Sequence, residues 1–145
     1  MKPRAAWPIL AKKAKEKCDQ AMAVLVKGRE KIKNLEQSRS RMEALYADYL
    51  ARSIETEKKS LRMQETVNFR GFLQQIQTLI KRVDIDLQHA KFELDILKAK
   101  LLAAEKKRIQ METLQEQDDR RIRDAAAKRE QREMDATGVM LFNMR

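Results

Sequence analysis

From Phe69 to Ala104 every heptad core position of this chain is apolar: Phe69, Leu73, Ile76, Ile80, Val83, Leu87, Ala90, Leu94, Leu97, Leu101 and Ala104. The steps alternate four and three, so they average 3.5 residues and draw one narrow stripe along an α-helix that a second helix must cover. A strand would alternate at period two, and an ordinary surface helix would carry a wider apolar face in looser register. The chain is therefore predicted to be all-α and built as a coiled coil.

Composition agrees with long helices rather than with a rounded globule. Of 145 residues 37% are charged, only three are Gly and two are Pro, and aromatics make up 5%, too few for a large core. A second, weaker seam precedes the strong one at Ala11, Ala14, Cys18, Ala21, Leu25, Gly28, Ile32, Leu35, Arg39, Met42, Tyr46 and Tyr49. Ala, Gly and Arg lower its apolar area, while Gly28 leaves room for close approach of a neighbour.

Between Ser53 and Asn68 the repeat fades, and the strong register starts afresh at Phe69. That break is read as a turn, which makes residues 1–145 a single domain of two long helices forming an antiparallel coiled-coil hairpin. Helix 1 is expected over about 8–62, with Pro8 in its first turn. The turn is placed at about 63–67 and helix 2 over about 68–136, capped by Thr66 or Asn68. Thr137 and Gly138 read as a helix stop, leaving an apolar tail at 138–145. A centre near residue 65 sets Leu35 opposite Leu94 or Leu97 and Leu25 near Ala104, in a rod on the order of 90 Å long.

Several chemistries lack raw material. There is one cysteine, Cys18, at a core position, and one histidine, His89, on the outer face. No glycine-rich phosphate loop occurs, and most carboxylates stand three or four residues from Lys or Arg, the spacing of helix-surface ion pairs. The expectation is a protein with no enzymatic activity, no cofactor and no metal. No stretch has the 18 or more apolar residues of a membrane span, and the start lacks a secretion signal. A cytoplasmic location without membrane insertion is expected.

What remains is binding. The formal charge is +10, with 16 basic and 9 acidic side chains in residues 1–65 and 16 against 13 in residues 66–145. Basic runs occur at Lys12, Lys13, Lys15 and Lys17, and at Arg120, Arg121, Arg123, Lys128, Arg129 and Arg132, and an antiparallel hairpin would bring them together. They form either a solvated end or an electropositive tip suited to an acidic cavity. Nucleic acid is a weaker alternative, because neither aromatic interleaving nor a groove-reading module is present. Phe72 and Leu79 flank the seam, while Ile85, Phe92 and Ile96 point outward, where a third helix, self-association or a partner groove would cover them.

Three segments together resemble one family: Leu45-Tyr46-x-x-Tyr49 late in the first helix, Asn68-Phe69-x-x-Phe72-Leu73 at the start of the second, and Lys128-Arg129-Glu130-Gln131-Arg132-Glu133-Met134-Asp135 near the end. Their order and spacing are similar to FliJ, the small coiled-coil protein of the bacterial flagellar type III export apparatus. The resemblance implies a non-enzymatic stalk linking a hexameric export ATPase to the export gate, a membrane protein, and escorting export chaperones. It places the protein at the cytoplasmic face of the inner membrane, serving flagellum assembly and motility, and a monomer when isolated. It assigns gate contacts to Phe72, Ile76, Leu79 and Val83, and ATPase contacts to Arg120, Arg121, Arg123, Arg129 and Arg132. The related alternative is the YscO-type stalk of a virulence secretion system.

Overall fold

The computed structural model describes residues 6–58 and 63–144, and for Gln64 the backbone alone. Two α-helices account for nearly all of them, α1 from Ala6 to Lys58 and α2 from Met63 to Asn143, with no strand among the described residues. The helices pack against each other as an all-α hairpin. Their contacts divide into two units, one joining α1 up to Met22 with α2 from Lys100 onward, the other joining α1 from Ala23 with α2 as far as Ala99.

In the second unit both seams are covered as their spacing requires. Leu25 is 2% exposed, and Leu73, Ile76, Val83, Leu87 and Ala90 are buried along α2. Burying one such aliphatic side chain contributes about 1.5–3 kcal/mol, so a handful of layers offsets the apolar area that Arg39 and Gly28 do not supply. The covered spacing of α1 also continues beyond Tyr49, through buried Ser53 and half-buried Thr56. Where the apolar pattern fades, small polar residues hold the same register.

The second helix begins earlier than the sequence reading places it. Residues 63–67 belong to the first turns of α2, and Glu65 lies in the first of them, where a carboxylate complements the partial positive charge of a helix N-terminus. Thr66 is half-buried in phase with Phe69, so the helix is established before Phe69, and neither Thr66 nor Asn68 serves as its cap. Residues 59–62, between the two helices, lie outside the described residues.

This shift changes the pairing by one heptad. Gly28, not Leu35, faces Leu94 and Leu97, and it is their side chains, not another backbone, that fill the space a Cβ at Gly28 would meet. Ion pairs across the same unit keep this register, Lys31 with Glu93 at 3.9 Å and Glu57 with Arg70 at 3.8 Å. Arg39, half-buried at a seam position, donates to Asp84 on α2 and to Glu43 one turn along α1. Its guanidinium is held above its ordinary pKa chiefly by the hydrogen bond to Asp84.

The first unit has a small core of its own. Ala11, Ala14 and Met111 form a buried cluster, with Trp7 and Leu114 packed against it. Cys18 is buried in the same seam. Near it Arg108 has its pKa raised chiefly by its hydrogen bond to Glu112. Half-buried positions persist on α2 at Asp118, Ile122 and Ala125, and from residue 126 every described residue is exposed.

The expected stop at Thr137 and Gly138 is not a stop. α2 runs through both to Asn143, because Gly138 keeps helical backbone in open space and a lone glycine in a helix costs only about 1 kcal/mol. Thr137 donates its hydroxyl back to the Glu133 carbonyl at 2.9 Å. Val139 to Phe142 are thus one helical turn, each 59% exposed or more, and not a separate tail.

Candidate functional site

The gate-facing set divides on burial. Ile76 and Val83 are seam residues, 2% and 8% exposed, covered by α1. Their place in the four-and-three stripe commits them to the core, so as surface contacts they are corrected out of the set. Phe72 and Leu79 precede heptad core positions and lie at the flank, 37% and 47% exposed. Of the four, only these two offer surface to a partner.

Around Phe72 the second unit carries an aromatic group. The Tyr49 ring of α1 stands 4.5 Å from that of Phe72 and 6.3 Å from that of Phe69, both tilted. Such offset contacts fix ring orientation and contribute beyond the area they bury. The Arg52 guanidinium lies 5.4 Å above the Tyr49 ring and also pairs with Asp48 at 3.3 Å. A shallow depression of about 530 Å³ lies here, lined by Tyr49, Thr56, Glu65, Asn68, Phe69 and Phe72. Leu45 of α1 is 42% exposed. The seam reading treats Tyr49 as packing alone and passes over Leu45, which sits next to Tyr46 on the exposed flank; its position just before a core residue was the available signal.

The arginine set belongs to the first unit, and all five members are exposed. Arg120 pairs with Glu116 at 3.3 Å and Arg129 with Glu133 at 3.7 Å. No ion pair joins Arg121, Arg123 or Arg132 to another described residue. The stretch from Gln115 to Asn143 holds six basic and seven acidic side chains, so it is a charge-balanced helix presenting individual arginines rather than a positive tip.

Nor do the two basic runs lie side by side. Ala11 and Ala14 are level with Met111, whereas Arg129 lies eighteen residues further along α2, about 27 Å at 1.5 Å per residue. The cause is length: α2 has 81 residues against 53 in α1, and it continues where α1 has ended.

No other chemistry gathers. Among the described residues no group of three or more His, Cys, Asp or Glu could hold a metal ion, and no helix is long and apolar enough to cross a membrane. Both helices present exposed flanks, and α2 has one stretch, from residue 126 on, in which every described residue is exposed.

Residues 9–145 match the family model described as flagellar FliJ protein. The chain belongs to the FliJ family. Membership ties it to flagellar type III protein export, a family of export-apparatus components. The match extends through the exposed stretch of α2, so that stretch is part of what the family shares in sequence. Comparison with the curated proteins and with the solved structures gives no match.

Proposed function

We propose that this FliJ-family chain is a stalk of the flagellar export apparatus that performs no catalysis itself. It links a hexameric export ATPase to the membrane-embedded export gate and receives export chaperones, at the cytoplasmic face of the inner membrane. The observation that carries this reading is the family match over residues 9–145. Exposed Phe72, backed by Tyr49, and exposed Leu79 suit an apolar contact with the gate, because an aromatic anchor on a rigid support loses little entropy on binding. The ATPase contact falls to Arg120, Arg121, Arg123, Arg129 and Arg132, all exposed on α2, the last two in its stretch without a covered residue; planar guanidinium groups suit carboxylates on a partner.

Two matched variants test it. Leu79→Asp removes gate binding in a pull-down with the gate's cytoplasmic domain, and charge reversal at Arg120, Arg121 and Arg123 removes stimulation of the ATPase. Each abolishes swimming in soft agar while the isolated protein remains a folded monomer by light scattering. Normal swimming in both variants would sink the reading.

A further inference from the structure

The lysines of the first unit are divided unevenly between its two flanks. Ala14 and Met111 meet in the core. Lys17 lies three residues after Ala14, and Lys107 four before Met111. In an antiparallel pair those two positions fall on the same flank. Lys13 and Lys100 extend the row by one or two turns on either helix, and all four side chains are exposed. The carboxylates of this stretch go elsewhere: Asp19, Glu105 and Glu112 occupy the opposite flank, and Glu16 the outer face. No ion pair joins any of the four lysines to another described residue.

Like charges so placed repel one another, and Glu16, three residues from Lys13, is the one carboxylate at neighbour spacing to offset part of that cost among the described residues. The row continues into Leu10, seven residues before Lys17 and 41% exposed. We propose that this flank, Leu10 with Lys13, Lys17, Lys100 and Lys107, is a docking surface for an anionic lipid bilayer. Four point charges on flexible stems around no fixed pocket suit a fluid layer of phosphate headgroups better than one protein carboxylate, for which the planar fork of arginine is the better match. Leu10 adds a short apolar insertion at the headgroup level. An acidic protein surface would be expected to meet an aromatic or arginine anchor at its centre, and the row has none. This inference is independent of the proposed stalk role, since it concerns lipid and the other flank residues are not used.

Co-sedimentation of the full chain with vesicles tests it. Binding is expected to vesicles of about seven parts phosphatidylethanolamine to three of phosphatidylglycerol, not to phosphatidylcholine alone, and it should weaken as salt rises. Replacing Lys13, Lys17, Lys100 and Lys107 with Gln should weaken it about a hundredfold. The same change at Lys33, Lys58, Lys81 and Lys91, which lowers the net charge equally, should weaken it less than about fivefold. Equal loss in the two variants, or no vesicle binding by the unaltered chain, overturns the proposal. So does vesicle binding that survives the first variant while binding to poly-glutamate or to duplex DNA is lost.

Discussion

Gly28 faces Leu97 so closely that a Cβ on the glycine would stand 3.1 Å from the leucine Cδ1, with Leu94 Cδ1 at 3.3 Å. Both are tips of half-buried side chains that can turn aside, and alanine removes the helix penalty of glycine. Gly28→Ala should therefore stabilise by about 0.5 kcal/mol in urea unfolding, whereas Gly71→Ala, with nothing within 4 Å, should gain about 1 kcal/mol. The order of the two gains reads the tightness of the contact. A Gly28→Ala gain equal to that at Gly71 would mean the layer is looser than described.

The same layer explains how far the fold was legible. A seam of period 3.5 announces two helices and the face each one buries, and those positions are the covered ones. Sliding one helix by seven residues leaves that pattern unchanged, so Leu35 and Gly28 are equivalent candidates to face Leu97. Only the position of the turn separates them, and no Gly or Pro marks it. Likewise Gly138 carries the residue type of a stop without a following structure that uses one. At the candidate site, the resemblance assigns Ile76 and Val83 by motif, whereas their heptad phase commits them to the core.

Burial and exposure should part company at neighbouring residues of α2. Ile76→Ala should cost about 2–4 kcal/mol in denaturant unfolding, because the residue is 2% exposed and the space it leaves can collapse only in part. Leu79→Ala, 47% exposed, should stay within about 0.5 kcal/mol. Similar costs at the two sites would contradict the assignment of Leu79 to the surface.

Replacing Arg39 with Leu should raise the melting temperature by about 3 °C, since it fills a seam position now held by a half-exposed ion pair. Asp84→Asn should change it by less than about 1 °C, because exposed pairs contribute little. Differential scanning calorimetry decides both. A lower melting temperature in Arg39→Leu would mean that the charged pair, not apolar area, holds this layer.

Hydrogen exchange should grade steeply along α2. Amides between Leu101 and Met111 lie beside the first unit's core, while those from Ala126 onward belong to a helix with every side chain exposed. Unsupported helices of that length are marginal in water, so exchange beyond Ala126 should be at least about a hundredfold faster. Truncation after Ala125 should shift unfolding free energy by less than about 1 kcal/mol while reducing the far-ultraviolet helical signal.

Cys18 offers a probe of the first unit. Its side chain is 9% exposed, so disulfide reagents should label it slowly in buffer and quickly once denaturant opens the seam. A labelling midpoint coinciding with loss of helical signal would show that the first unit opens with global unfolding. An earlier midpoint would show that it opens alone.

The meeting of Ala11 with Met111 has a consequence for synthesis. One hundred residues separate them, so at about 5–20 residues per second the opening turns of α1 wait some 5–20 s on the ribosome before their cover emerges. The contacts of Tyr49 with Phe69 and Phe72 span about twenty residues and are available far sooner. The nascent chain is thus expected to zip from its middle outward, and Ala6 to Met22 must remain soluble alone in the meantime. Four lysines at positions 12, 13, 15 and 17 give that waiting segment the charge to do so.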